Sequence, residues 1–138
     1  MLERFHVPDD IAVRVPEGDM RKTVEEIFRK LGMSEEDAFQ SADVLLYADI
    51  RGVESHGVSN VMGRYVELLQ TGQMNPDPNW RIIRETPAIC TIDGDRGHGL
   101  VVGAVGMREA IERAAKYGIG SVSVTNSGHL GAVGYFAM

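Results

Sequence analysis

The sequence predicts an α/β (α+β) chain, in which a three-helix lobe with a short leading strand over residues 1–75 is followed over 76–138 by the beginning of an α/β sheet domain. Three observations carry this. Three successive segments up to Leu69 repeat apolar residues at helical spacing, Pro76 and Pro78 then interrupt regular structure, and beyond them short strand-like runs flank one long helical pattern.

Ile11-Ala-Val-Arg-Val15 reads as a short strand closed by Pro16 and Gly18, with the residues before it as an arm. Asp19 is the expected cap of a helix whose Met20, Val24, Ile27, Phe28 and Leu31 share one face, and Gly32 ends it. Ser34 with Asp37 three residues on resembles a capping box with a shorter acid. The helix it opens carries Ala38, Phe39, Ala42, Leu45, Leu46 and Ile50 toward a core. The short link between these helices makes them an antiparallel pair. A third stripe, Val58, Val61, Met62, Tyr65, Val66 and Leu69, predicts a helix stopped by Gly72, with Ser55 as its N-cap and His56 in or beside its first turn.

The lobe boundary falls in Gln73–Asn79, which continues neither a helix nor a sheet ladder. Trp80–Arg84 and Ala88–Ile92 then read as strands joined around Glu85-Thr-Pro87, and Asp93-Gly-Asp95 as a turn. Gly97-His98-Gly99 leads into a helix from Leu100 to about Tyr117, with Leu100, Ala104, Met107, Ile111 and Ala114 at helical spacing and Gly118 as cap. Gly103 and Gly106 each cost that helix about 1 kcal/mol, which suits close packing against another backbone. Ser121–Thr125 is the last strand, and its connection through a helix suits a crossover in a sheet. Asn126–Gly134 leaves that strand and enters a helical segment. It ends at Tyr135-Phe-Ala-Met138 with aromatic and thioether side chains expected to be exposed, which predicts a piece of a longer protein or one that needs a partner.

Composition excludes several function classes. With 43% hydrophobic and 25% charged residues the chain reads as a soluble globular protein, and a net charge of −6 with mixed signs offers no basic stripe for nucleic acid. Cys90 stands alone in an apolar run, as a core residue rather than a reactive thiol. His6, His56, His98 and His129 are far apart and lack short ligand spacings, so no metal site is expected. Glu3, Asp9 and Asp10 argue against a secretory signal, and no stretch approaches the roughly 18 uninterrupted apolar residues of a membrane span. A cytoplasmic location is the expectation.

Two places concentrate candidate chemistry. Ser55-His56-Gly57 lies where one helical pattern hands over to the next. The partial positive charge of a helix N-terminus disfavours imidazolium, which would keep His56 neutral near pH 7 and able to accept a proton. Spacing alone leaves open a plainer reading, with Ser55 only a cap and His56 an ordinary loop residue. Asn126–Gly134 combines a strand end, a glycine-rich turn and a helix start, where free N–H groups and Gly131 could receive an anion. Its glycine spacing is not the dinucleotide fingerprint, so a simple strand-to-helix turn is open as well.

Taken together and in order, ADIRGVESHGVSNVMGRYVELL, the variant segment Gln73-Met-Asn-Pro-Asp-Pro78, TIDGDRGHG and VTNSGHLGAVGYFA resemble the malate/L-lactate dehydrogenase family of the non-Rossmann type. That group includes L-sulfolactate, ureidoglycolate and piperideine-carboxylate oxidoreductases. The resemblance runs from about Glu17 onward. It implies hydride transfer between NAD or NADP and a small 2-oxo or 2-hydroxy acid, or a related cyclic imino acid, in a homodimer or larger assembly with a non-Rossmann NAD(P)-binding sheet. By resemblance His56 exchanges the substrate proton, Ser55 is its relay, and His129 is the cofactor-side partner or the alternative donor. Leu130, Gly131, Ala132 and Val133 match the cofactor-contacting turn. The family's usual carboxylate-binding arginine is Asn60 here, and Arg64, one helical turn on, is the candidate replacement. The resemblance also puts the relay aspartate, the active-site lysine and most of the nucleotide pocket past Met138, so the 138-residue piece alone is expected to be inactive. Two rival readings remain. One is a non-catalytic binding or assembly module that keeps the fold and docks a partner through its apolar C-terminal end. The other is a hydrolase using Ser55 and His56, disfavoured because no nucleophile elbow surrounds the serine.

Overall fold

A computed structural model describes residue 5 and residues 7–137. In chain order it contains α1 (Glu17–Lys30), α2 (Glu35–Ile50), a 3₁₀ turn (Glu54–His56), α3 (Val58–Gln70), β1 (Arg81–Glu85), β2 (Ile89–Gly97), α4 (Gly99–Tyr117), β3 (Ser121–Ser127) and a second 3₁₀ stretch (Val133–Ala137). The α/β class is as expected, whereas the leading strand is not. Ile11–Val15 forms no strand and leaves Ile11, Val13 and Val15 exposed, because among the described residues no neighbouring strand offers the run a ladder.

Helix α1 begins three residues earlier than predicted, after Pro16 and not after Asp19; the fixed φ of Pro16 suits a helix start, and Glu17 and Asp19 then face the positive end of the helix, Arg29 and Lys30 the negative end. The Ser34 hydroxyl accepts the Asp37 N–H at 3.1 Å and caps α2 as expected. Helix α2 is the centre of the lobe. It buries Ala38, Ser41, Ala42, Val44, Leu45, Leu46 and Ala48, a stripe so wide that only a helix surrounded by protein accommodates it. Phe39 and Ile50 lie off that stripe and are exposed, contrary to the prediction. The Arg21 guanidinium covers the Phe39 ring at 5.5 Å.

The sheet has the order β1-β2-β3, with β1 antiparallel to β2 and β2 parallel to β3. The β2–α4–β3 unit is the predicted crossover. Helix α4 works on both sides. Leu100 and Val101 join Phe28, Leu45 and Tyr65 in the helical core, while Val102 and Val105 pack with Cys90 and Ile92 of β2. Cys90 is accordingly a buried free thiol. Beyond Gly106 the helix rides on the surface, so Met107 and Ile111 are exposed rather than in the core.

Asp93-Gly-Asp95 makes no chain-reversing turn. The strand continues to Gly97 through Asp95 and Arg96 at φ +50° and +57°, so that three residues of β2 stand opposite one of β3 between the Asp93↔Thr125 and Gly97↔Ser127 pairs. Side chains stabilise this bulge. The Asp93 carboxylate accepts the Asp95 N–H and the Asn126 side-chain amide, which hold its pKa below the usual carboxylate value. Asp95 accepts from Asn75 and from the Asn79 N–H, tying the proline segment to the strand end. That segment adds one isolated bridge, Asn75↔Gly97, and buries Met74.

Tyr135 and Phe136, expected to be exposed, instead pack against the helical core. The Tyr135 hydroxyl donates to Asp43 at 2.8 Å, and the Phe136 ring lies within reach of a Cβ placed on Gly103. Met138 lies outside the described residues.

Candidate active site

The site grows from the end of α2. Gly57, not Ser55, is the N-cap residue of α3, and the capping acceptor is remote in sequence: the Asp49 carboxylate takes the Val58 N–H at 2.9 Å. A Cβ on Gly57 would fall 1.6 Å from Asp49 Oδ1, so the carboxylate reaches the helix only because residue 57 has no side chain. Half-burial raises the Asp49 pKa, the Val58 N–H opposes that rise, and the charge of Glu54 adds to it. Asn60 fastens the turn from the other side by donating its side-chain amide to the Glu54 carbonyl at 2.9 Å.

The turn so held is the 3₁₀ stretch Glu54–His56. Ser55, released from capping, sets its hydroxyl 2.9 Å from His56 Nδ1. Across from it the His129 ring lies nearly parallel to His56, with centroids 5.3 Å apart and planes at 24°. Two residues 73 positions apart in sequence are thus brought into contact.

His129 stands just past β3, and His98 just past the neighbouring parallel strand β2, joined there by the Gly128 N–H to Gly97 carbonyl bond at 3.0 Å. The carboxyl ends of parallel strands are where α/β proteins place their sites. The Nδ1 of His129 accepts the Gly131 N–H at 3.1 Å and lies 3.3 Å from the Tyr65 hydroxyl. Partial burial, followed by the proximity of His56, lowers its pKa.

Behind this pair lies a residue for which the sequence reading gave no role. His98 is fully buried, its Nδ1 2.9 Å from the Ser41 hydroxyl, its Nε2 without a partner, and its ring against Tyr65 (4.4 Å, edge-on) and Phe28 (5.3 Å). Burial first, and His129 second, push its pKa down to about 3. Gly97 and Gly99, which flank it, are the one available signal. A Cβ on Gly99 would strike the His129 carbonyl, where two backbones meet, and one on Gly97 would lie 2.7 Å from the Pro78 ring, so the motif marks close packing on both sides of His98.

Of the remaining candidates, Leu130 and Val133 expose apolar side chains, and Gly131 and Ala132 are buried between them. This surface beside a neutral imidazole fits one face of a nicotinamide ring. It does not fit a phosphate. The Gly131 N–H is already donated to His129, Leu100 fills the space where its Cβ would be, and Val133–Ala137 form a 3₁₀ stretch rather than the α-helix expected. Arg64 is exposed and ion-paired with Glu67 at 2.7 Å. Two concavities, of about 570 and 440 Å³, include neither His56 nor His129; the second borders Asp49, Glu54 and Val58 from the side of the N-terminal arm. Among the described residues no cluster of ligating side chains could hold a metal, and no helix is long and apolar enough to cross a membrane.

A Ser-paired imidazole is thus stacked on a second imidazole that follows the last strand of a β-α-β crossover, where the helices meet the sheet. Residues 15–138 match the family model described as malate/L-lactate dehydrogenase, and the chain belongs to that family. It is 46% identical over its whole length to a malate dehydrogenase of Pyrococcus abyssi, of which it covers 38%. It is 40% identical over 88% of its length to an L-sulfolactate dehydrogenase of Methanocaldococcus jannaschii, covering 35% of that protein. The solved malate dehydrogenase of Pyrococcus horikoshii superposes with a TM-score of 0.91 at 45% identity over 96% of this chain and 37% of the other. The chain therefore spans somewhat more than a third of the length of these relatives.

Proposed function

We propose that this chain supplies the proton-handling part of an NAD- or NADP-dependent oxidoreductase that interconverts a small 2-hydroxy acid and its 2-oxo acid, of the malate, lactate or sulfolactate kind. The observation that carries the reading is the His56–His129 stack with Ser55 on His56 Nδ1. Oxidation of a hydroxy acid breaks an O–H and a C–H bond. The proton passes to His56, and a bound nicotinamide would supply the hydride acceptor.

Ser55 makes His56 serviceable in both directions. With His56 Nδ1–H donating to the serine oxygen, Nε2 carries a lone pair when the ring is neutral and a transferable proton when it is charged. Leu130, Gly131, Ala132 and Val133 would hold the nicotinamide, the exposed Leu130 and Val133 side chains offering it an apolar surface. Arg64, swung from Glu67, meets the substrate carboxylate, because the Asn60 amide is already donated to Glu54. A closed pocket requires more protein than these residues supply, either the further length that the relatives have or a second copy in a homodimer, and the 138-residue chain alone is inactive. The reading also takes 1–75 and 76–138 as lobe and cofactor domain, in the cytoplasm.

The test is NAD(P)H oxidation with oxaloacetate, pyruvate and sulfopyruvate by the protein carrying this chain, beside its His56→Ala variant. Turnover lowered by about a hundredfold or more in the variant is expected for a lost general acid. Turnover unaffected by the substitution overturns the assignment, and no turnover with any of the three acids favours a binding or assembly module.

A further inference from the structure

The stacked pair leaves a question of roles, since either imidazole could exchange the proton. The geometry around His129 answers it. A backbone N–H only donates, so the nitrogen that receives it, His129 Nδ1, carries a lone pair and no proton. The Tyr65 hydroxyl points at the same nitrogen from α3, at 3.3 Å. Burial pushes the Tyr65 pKa up to about 12, so the phenol keeps its proton and is available as the second donor. Protonating Nδ1 would set the Gly131 N–H against another N–H, and charging the ring would bring it against His56 at 5.3 Å.

Tyr65 itself has little freedom. Its ring is 3% exposed and meets the edge of His98, which Ser41 holds in turn, so the hydroxyl is aimed by packing and not by solvent. The titratable groups around the His129 ring are therefore His56 from the 3₁₀ turn, Tyr65 from α3 and His98 from the start of α4.

We propose that Tyr65 is a positioning residue: together with the Gly131 amide it fixes His129 as the neutral Nε2–H tautomer, so that His129 offers a hydrogen-bond donor to the ligand and the exchanged proton passes through His56. The second half rests on the proton-transfer reading above, whereas the first is a property of the protein without substrate.

The experiment separates them. Nitrogen-15 histidine NMR of the unliganded protein at pH 7.5 is expected to show His129 with an unprotonated Nδ1 and a protonated Nε2. In Tyr65→Phe, which keeps the ring and loses only the hydroxyl, the two nitrogens move toward averaged shifts. In the active dehydrogenase the same variant lowers kcat roughly tenfold, with KM for the oxo acid within about twofold, since it disturbs a tautomer and not a substrate contact. A proton on Nδ1 of His129 in the unaltered protein overturns the proposal without any variant. A tautomer unchanged by Tyr65→Phe removes Tyr65 from it. Absence of turnover in the unaltered protein, with the Nε2–H tautomer found, refutes the oxidoreductase reading and leaves the tautomer assignment standing.

Discussion

His98 should make this protein acid-labile, and the size of the effect follows from its burial. Its folded-state pKa is about 3 against an ordinary 6.5, so between those values the unfolded chain binds a proton that the folded one refuses. The sign is fixed by that difference: for a base whose pKa is depressed on folding, stability is highest above pH 6.5 and falls as the pH drops through the window toward 3. Between pH 7 and pH 5 the loss is about 2 kcal/mol, and by pH 4 about 3 kcal/mol. For a small domain this is a sizeable part of the total. The assay is urea unfolding followed by circular dichroism at pH 7, 6 and 5, for the unaltered protein and His98→Gln. The variant loses packing against Phe28 and Tyr65, so its stability at pH 7 is not the readout. The readout is the difference in pH slope, which should be steeper in the unaltered protein by about 1 kcal/mol per pH unit below pH 6. Parallel pH curves, or a His98 ring signal that titrates near 6.5, would refute the argument.

Other substitutions probe the supports of the site. Asp49→Ala removes the carboxylate that caps α3 and should cost about 1 kcal/mol in chemical unfolding, with the His56 ring signal shifting as its turn loosens. Gly57→Ala sets a methyl group on the Asp49 carboxylate and should cost about 1–3 kcal/mol by the same assay, more than an ordinary surface glycine such as Gly63, which has open space around it. Gly99→Ala pushes on the His129 carbonyl, so the proposed oxo-acid reduction should slow even where the melting temperature recovers in stabilising salt. Arg64→Ala should raise KM for the oxo acid about tenfold with less change in kcat, and an unchanged KM disposes of its role as carboxylate partner.

The helices were legible because their signals are local. Ser34 capping, the Val24/Phe28 and Met62/Tyr65/Leu69 stripes, and Gly118 in the left-handed region at φ +84° each act within a few residues, and all appear where the sequence puts them. The misreadings have non-local causes. Ile11–Val15 has strand composition but, among the described residues, no partner strand. Asp93-Gly-Asp95 has turn composition, yet the β2–β3 ladder resumes beyond it and holds the chain in a bulge. Ser55 has the composition of a cap and lost that position to Asp49, a residue six places earlier that no capping pattern includes. His98 went without a role because nothing in Gly97-His98-Gly99 says that Ser41, Phe28 and Tyr65 close around it.

The same contrast explains the glycines beside the histidines. Read as sequence, the Gly-His-Leu-Gly turn suggests room left for a ligand at Gly131. In the folded chain the room is already taken. The absent side chain of Gly57 admits the Asp49 carboxylate, that of Gly99 the His129 carbonyl, and that of Gly131 the Leu100 side chain. Each close approach fixes the backbone next to an imidazole, and the three together set where His56, His98 and His129 stand relative to one another. Glycines at these positions thus act on the imidazoles by admitting a neighbouring group and not by leaving space open. The two imidazole rings in contact, with the exposed Leu130 and Val133 side chains beside them, are what a ligand would meet.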